Sequence, residues 1–162
     1  MEKLGNSAHI KITSVEHILK ALAIRLEAFV AAGCRATDHG LMMIPYVIKS
    51  DSEIEEIFQR RMNGGTLTSQ EIEAFQTKIL LFLGKEYSKH NIVMQLHLNA
   101  IRNLNPPQFK SIGPDTGYDA SHDLMVAEKL GLFLGALESE HSLPKTVLYS
   151  LNPKDYYSMG TI

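Results

Sequence analysis

The sequence predicts an α/β fold in which short parallel strands alternate with amphipathic helices. Apolar residues recur at three- and four-residue spacing in several segments, and short apolar runs lie between those segments. The resulting order is helix, strand, two helices, strand, loop, helix, strand and a final short helix. This alternation predicts parallel βαβ units, and strands without clean polar alternation predict a sheet covered on both faces.

The first helix is predicted over residues 14–32, where one apolar stripe runs along SVEHILKALAIRLEAFVAA. Ser14 is a suitable N-cap, and Gly33 is suited to a left-handed stop. The strand predicted over residues 34–40, CRATDHG, is only weakly apolar and is inferred mainly from its position.

Two helices are predicted between residues 50 and 90, because Ser50 with Glu53 and Thr68 with Glu71 each match a capping box. Residues 63–65, Asn-Gly-Gly, separate them. We interpret 50–90 as a helical insertion, a hairpin within a single structural unit of residues 1–162.

The second half begins with a buried strand from Val93 and continues into a predicted loop over residues 104–122, rich in Pro, Gly, Asp and Ser. A loop of this length is typical of a functional or a disordered segment, and its mix of aromatic and polar residues favours a functional one. A helix over 123–140 and an apolar strand over 145–151 follow, and a short helix begins after Asn152-Pro153.

Composition excludes several classes of protein and of site. The net charge of -2 gives no reason to expect nucleic acid or an anionic membrane as partner, although a few arginines can still bind a small anion. Cys34 is the single cysteine, which excludes an internal disulfide and a multi-cysteine metal site. No signal peptide or membrane-spanning run is visible, so a cytoplasmic location is expected.

Polar residues cluster where the predicted strands end, which is where α/β folds place their functional groups. Those at the three strand ends are Asp38, His39, His97, Asn99, Arg102, Asn152 and Asp155. Side-chain alternation puts Met94, Leu96 and Leu98 on one face and Val93, Gln95 and His97 on the other. The second face suits the lining of a barrel interior near its mouth.

Each candidate also has a structural interpretation. A lone histidine such as His97 is more often hydrogen-bonded than metal-bound, and Asp38-His39 also fits a turn with a helix cap. Arg102 can extend into solvent, and residues 113–117, GPDTG, fit a pair of turns. The common nucleotide-binding, zincin and hydrolase motifs are absent, as is an H-x-H pair.

Three blocks closely resemble the uronate (glucuronate) isomerase family of the amidohydrolase superfamily. They are GCRATDHGL, VMQLHLNAIRNLNPPQFKSIGPDTGYD and LPKTVLYSLNPKD. The resemblance implies a (β/α)8 TIM barrel, of which this chain matches about strands 4 to 6 with the helical insertion. The family's H-x-H and D-x-R motifs, which the resemblance puts on the first and eighth strands, have no counterpart here.

The resemblance implies uronate catabolism: isomerisation of D-glucuronate to D-fructuronate, and of D-galacturonate to D-tagaturonate, with a divalent metal, zinc being the expected ion. A homo-oligomer is also expected. The resemblance matches Asp38 and His39 to catalytic positions at the pocket rim and His97 to a metal-ligand position. It also matches Arg102, Asn103 and Asp115 to substrate-binding positions, and an arginine suits a uronate carboxylate.

Two further hypotheses stand beside that of an isomerase segment that is inactive alone. The chain can instead be a non-catalytic α/β module that associates with itself through exposed sheet edges. A metal-dependent hydrolase of the same superfamily is disfavoured, because the long central block is specific to the isomerases.

Overall fold

The structure is a computed structural model that describes residues 1–162. Its helices are α1 (Glu2–Ala8), α2 (Val15–Ala31), α3 (Asp51–Met62), α4 (Ser69–Lys89), α5 (Pro106–Ile112), α6 (Ala127–Ser139) and α7 (Asp155–Met159). Its strands are β1 (Ala36–Gly40), β2 (Val93–Leu98), β3 (Ala100–Ile101), β4 (Ala120–Ser121) and β5 (Thr146–Ser150). None of the helices combines the length and apolarity that crossing a membrane requires.

The predicted parallel strands form one sheet. Its order is β1-β2-β5, and both pairings are parallel, which confirms the α/β fold class. The register aligns Gly40 with His97 and His97 with Tyr149, so the carboxyl ends of all three strands meet at one edge. β2 is central, and β1 and β5 are the two sheet edges.

The core lies on one face of the sheet. Met94, Leu96 and Leu98 of β2 are completely or almost completely buried there. Helices α2, α4 and α6 cover this face, contributing the buried residues Leu26, Leu80, Tyr87, Leu130, Phe133 and Leu137. The predicted alternation along β2 is therefore confirmed.

The prediction of a sheet covered on both faces is wrong for this chain. Burial alternates along every strand, and the face opposite the core presents Asp38, Val147 and Tyr149 to solvent. The strand sequences suggested two covered faces because apolar residues such as Val93 also occur on the open face. In the structure these residues are only half-buried.

The two helices predicted between residues 50 and 90 pack against each other, and both begin with the predicted capping boxes. Ser50 and Thr68 accept hydrogen bonds from the amides of Glu53 and Glu71, and each glutamate carboxylate accepts the cap residue's amide in return. Their inner faces join the start of α2 in a second, smaller core of Val15, Ile18, Ile54, Ile57, Phe58 and Ala74.

Residues 104–122 are more ordered than predicted. They contain helix α5, which Asn105 caps by accepting the amide of Gln108, and β4, which pairs antiparallel with β3. The prediction of a loop is wrong here because α5 has only seven residues and buries none of them, so its apolar pattern is too short to indicate a helix. Helix α1 is an element that was not predicted from the sequence. Its N-cap residue is Met1, whose side chain makes no capping hydrogen bond, so no start signal marks this helix.

Candidate functional site

The candidate site is a cleft of about 340 Å³ at the carboxyl ends of β2 and β5. It is lined by His97, Leu98, Ala100, Arg102, Asp119, Tyr149, Ser150 and Leu151. Its volume is at the lower end of the range for small-molecule sites, roughly 300 to 1,000 Å³. Three of the predicted residues meet here: His97 and Arg102 line the cleft, and Asp38 contacts His97 from the adjacent strand.

On the open face of the sheet, the His97 imidazole is held from two sides. Its Nε2 lies 2.8 Å from Asp38 Oδ1. Its ring stacks on Tyr149, with centroids 4.3 Å apart and planes 7° from parallel. The Tyr149 hydroxyl in turn donates to Gln95 Oε1 over 2.7 Å. The strand register brings these groups together, because Asp38 aligns with Gln95 and His97 aligns with Tyr149.

The Arg102 guanidinium forms the opposite side of the cleft. Its Nη1 donates to Asp119 Oδ2 over 2.6 Å and lies 3.6 Å from Asp115 Oδ1. Its Nη2 reaches over Gly40 at the end of β1, where an added Cβ atom would be 3.3 Å away. The guanidinium is half-exposed, so it is accessible to a ligand as well as paired within the chain.

Asn103 and Asp115 belong to the same loop system as Arg102. Both adopt left-handed backbone conformations, with φ of 57° and 59°, which asparagine and aspartate tolerate better than most residues. The Asn103 amide donates to Asp119 Oδ1 over 3.0 Å. This backbone hydrogen bond and the Arg102 side chain lower the pKa of Asp119, so its carboxylate stays charged.

The structure separates His39 from the other candidates. His39 lies on the covered face of β1, where its Nε2 is 3.0 Å from the hydroxyl of Tyr87 on α4. Burial lowers the pKa of His39, although Asp38 opposes the shift, and burial raises the pKa of Tyr87 to about 12. We expected His39 to lie beside Asp38 at the pocket rim, and this expectation is wrong. Successive residues of a strand point to opposite faces, so the two side chains lie on opposite sides of the sheet. The catalytic role of His39 stays a prediction.

A buried polar network lies beneath the cleft. Asn99 is fully buried with a φ of 61°, and its Nδ2 donates to Asp155 Oδ2 over 2.6 Å and to the Leu124 carbonyl over 3.1 Å. The same Asp155 oxygen accepts the Ser150 hydroxyl over 2.6 Å. The polar residues predicted at the ends of β2 and β5 thus pair with each other, and they fix where the chain leaves β2.

The side chains of this chain do not complete a metal site. No group of three or more His, Cys, Asp and Glu side chains is placed to hold an ion. Catalytic zinc usually has three protein ligands, whereas only His97 and Asp38 converge here, and they contact each other. The implied metal and its ligation by His97 stay predictions, and no chemical step is derived through them.

A larger cavity, of about 450 Å³, lies between α3 and α4 in the insertion. It is lined mainly by apolar side chains, with Arg61 as the one charged group. Because it lacks converging polar groups, we place the candidate site at the smaller cleft.

Three residues that shape the cleft were missed from the sequence. Tyr149, Asp119 and Gly40 act through partners far along the chain, and only Tyr149 had a local signal, as a polar-tipped aromatic residue near a strand end. Asp119 lies in the segment predicted as a functional loop, but its pairing with Arg102 follows from the β3-β4 register.

Comparison with known proteins gives a consistent result. The family model for glucuronate isomerase matches residues 1–162. The uronate isomerases of Caldicellulosiruptor saccharolyticus and Caldanaerobacter subterraneus subsp. tengcongensis are 47% and 43% identical to the chain over 162 residues. These alignments cover 100% of the chain and 35% of each relative, so the chain spans about a third of their length.

Two crystal structures share its fold. That of uronate isomerase from Thermotoga maritima matches with a TM-score of 0.90 at 30% identity, over 99% of this chain and 35% of that protein. That of glucuronate isomerase from Caulobacter crescentus matches with a TM-score of 0.83 at 27% identity, over 96% of this chain and 32% of that protein.

Proposed function

The chain belongs to the glucuronate isomerase family, and from this premise we propose that it forms one sector of an active site that interconverts uronates and their keto isomers. The observation that carries the proposal is the cleft in which Arg102 faces the His97–Asp38 pair. D-Glucuronate and D-galacturonate, with D-fructuronate and D-tagaturonate as products, are the proposed substrates.

The two sides of the cleft suit the two ends of a uronate. A guanidinium can donate hydrogen bonds to a carboxylate, and Nη2 of Arg102 makes no aspartate contact, so Arg102 recognises the acidic end. Asp38 and His97 are within hydrogen-bond distance of each other and can exchange a proton with a sugar hydroxyl. Asn103 and Asp115 border Arg102 in the same loop and add polar contacts.

We further propose that β1, β2 and β5 are neighbouring strands of a (β/α)8 barrel of the amidohydrolase type, with the open face lining its interior. The strands are parallel, and their exposed face carries Gln95, His97 and Tyr149. The remaining catalytic groups, including the implied divalent metal's other ligands, would then lie in the parts of the relatives that this chain does not match. In a cytoplasmic location, such an enzyme would act in uronate catabolism.

The test replaces the matching segment of the Caldicellulosiruptor saccharolyticus uronate isomerase with these 162 residues. We expect the chimera to convert D-glucuronate to its keto isomer, and Arg102→Met in the chimera to raise KM. A chimera that folds and assembles like the parent enzyme yet gives no product would refute the proposal. The parent enzyme, prepared in parallel, is the control.

The 162-residue chain alone provides the complementary test. We propose that it is inactive, because the donors it brings together are too few for a metal site and its open face is not enclosed. Incubation with D-glucuronate and zinc or manganese should give no product above background. Turnover by the isolated chain would show that one sector is sufficient.

A second candidate function rests on the two sheet edges. β1 and β5 each pair on one side only, and unpaired edges favour association with another chain. If the chain is a non-catalytic module, it should form a homo-oligomer through these edges, and Ala36→Pro, at a β1 residue whose amide points away from β2, should shift it toward monomer. Light scattering of both proteins tests this, and a wild-type monomer would exclude it.

A further inference from the structure

Asp119 makes two hydrogen bonds that act on neighbouring residues of the cleft. Its Oδ2 accepts Arg102 Nη1 over 2.6 Å, and its Oδ1 accepts the Asn103 amide over 3.0 Å. Asp119 therefore fixes the direction of the guanidinium and the turn that follows it at the same time.

The backbone supports this double contact. β3 and β4 pair with Ala100 opposite Ser121 and Ile101 opposite Ala120, so the next step of the same register puts Arg102 opposite Asp119. The Leu104 amide then donates to the Tyr118 carbonyl over 2.8 Å, which extends the pairing past Asn103. We call residues 100–104 and 118–121 the ribbon. Cross-strand neighbours of opposite charge stabilise such pairings.

Gly40 determines where the other end of the guanidinium can lie. Both aspartate contacts of Arg102 run through Nη1, whereas Nη2 lies over Gly40, 3.3 Å from where a Cβ atom would be. This distance is tighter than ordinary van der Waals contact, so an alanine would require the guanidinium to shift by a few tenths of an ångström. The glycine thus keeps room for the Nη2 group at the end of β1.

We propose that Asp119 is a positioning residue that aims Arg102 across Gly40, so that Nη2 is presented to the carboxylate of a bound uronate. The inference rests on the proposed function, in which Arg102 binds the acidic end of the substrate. Its new content is that recognition depends on Asp119 and on the missing side chain at position 40, and neither residue needs to touch the substrate.

The kinetic test uses the active chimera. Asp119→Ala should raise KM for D-glucuronate roughly tenfold, the effect of one misplaced charged hydrogen bond, and change kcat much less. Asp119→Asn can still accept the Asn103 amide and should raise KM less. Asp51→Asn, which removes an aspartate paired with Lys78 on the insertion, is the matched control and should leave both constants unchanged.

Gly40→Ala leaves Asp119 and the ribbon unchanged. It therefore tests the proposal even if the Asp119 variants do not fold. It should raise KM several-fold with little change in kcat. An unchanged KM in Asp119→Ala overturns the proposal. If that variant does not fold, an unchanged KM in Gly40→Ala overturns it instead.

A second readout separates this proposal from the proposed function. In ¹⁵N NMR spectra of the 162-residue chain, the Arg102 guanidinium should show slowed rotation and separate Nη signals, and Asp119→Ala should abolish them. Separate signals in the 162-residue chain, together with an inactive chimera, would support the positioning while refuting the function. A freely rotating guanidinium in the wild-type chain would refute the positioning even if the chimera is active.

Discussion

Removing the Asp155 carboxylate is the most informative test of how the structure is held together beneath the cleft. Asp155 is 3% exposed, and one of its oxygens accepts both the Asn99 amide and the Ser150 hydroxyl, each over 2.6 Å. Asp155→Ala deletes both hydrogen bonds at once. It also releases Asn99, whose left-handed conformation sets the path of the chain from His97 to Arg102.

The expected cost follows from these contacts. Two hydrogen bonds to a charged acceptor are worth about 3 to 6 kcal/mol in total. Asn99 keeps its bond to the Leu124 carbonyl, and the Ser150 hydroxyl can still donate to the Asn152 carbonyl over 3.4 Å. The lower end therefore applies, and we expect the free energy of unfolding to fall by about 3 kcal/mol. For a domain of this size, that lowers Tm by roughly 6 to 12 °C.

Urea unfolding followed by circular dichroism measures the effect, with the midpoint and the m-value fitted separately. Asp155→Asn can still accept both bonds through its amide oxygen, so it should cost only about 1 kcal/mol. Asp123→Ala, at an exposed aspartate of the same region paired with Lys154, should leave the midpoint unchanged. If Asp155→Ala costs less than about 1 kcal/mol, the network does not stabilise the fold as reasoned.

Two further predictions concern the packing of α4. Burial lowers the pKa of His39 below its ordinary value of 6.5, so the unfolded chain binds the proton more readily and stability should fall as the pH drops below 6.5. In urea titrations at pH 7.0 and 6.0, His39→Gln should weaken this dependence, and an equal slope in both proteins would contradict the assignment. An added Cβ at Gly84 would be 2.8 Å from Leu137 Cδ1, so Gly84→Ala should destabilise by about 1 kcal/mol, because overpacking exceeds the gain in helix propensity. With Leu137→Ala already present, the same change should stabilise by about 1 kcal/mol, and an unchanged sign in that double-mutant cycle would refute the steric explanation.

Much of the fold was predictable because its signals are local. Capping boxes at Ser50 and Thr68 marked two helix starts to the residue, and alternation along β2 identified the buried face. Helix α5 shows the limit of this approach. Its asparagine cap and its prolines at the first turn were visible in the sequence, but an apolar pattern over only seven residues is too short to indicate a helix.

The sequence indicated that the site lies at the strand ends. It did not indicate which side chains pair with each other there. Asp38 and His39 were expected together at the pocket rim, but the structure places them on opposite faces of β1, because successive strand residues alternate. The pairing of Arg102 with Asp119 spans 17 residues, and that of Asn99 with Asp155 spans 56 residues. Such pairs depend on sheet register and loop path, which no local pattern specifies.

The two long helices have a consequence for how the chain unfolds. α2 contributes Val15 and Ile18 to the smaller core and Leu26 to the larger one, and α4 contributes Ala74 and Leu80 in the same way. Separating the smaller core from the larger one therefore requires breaking the hydrogen-bond ladders of both helices near their middles. The two cores are thereby mechanically coupled, and a mutation in the insertion, far from any substrate, can alter how often the sheet is transiently exposed.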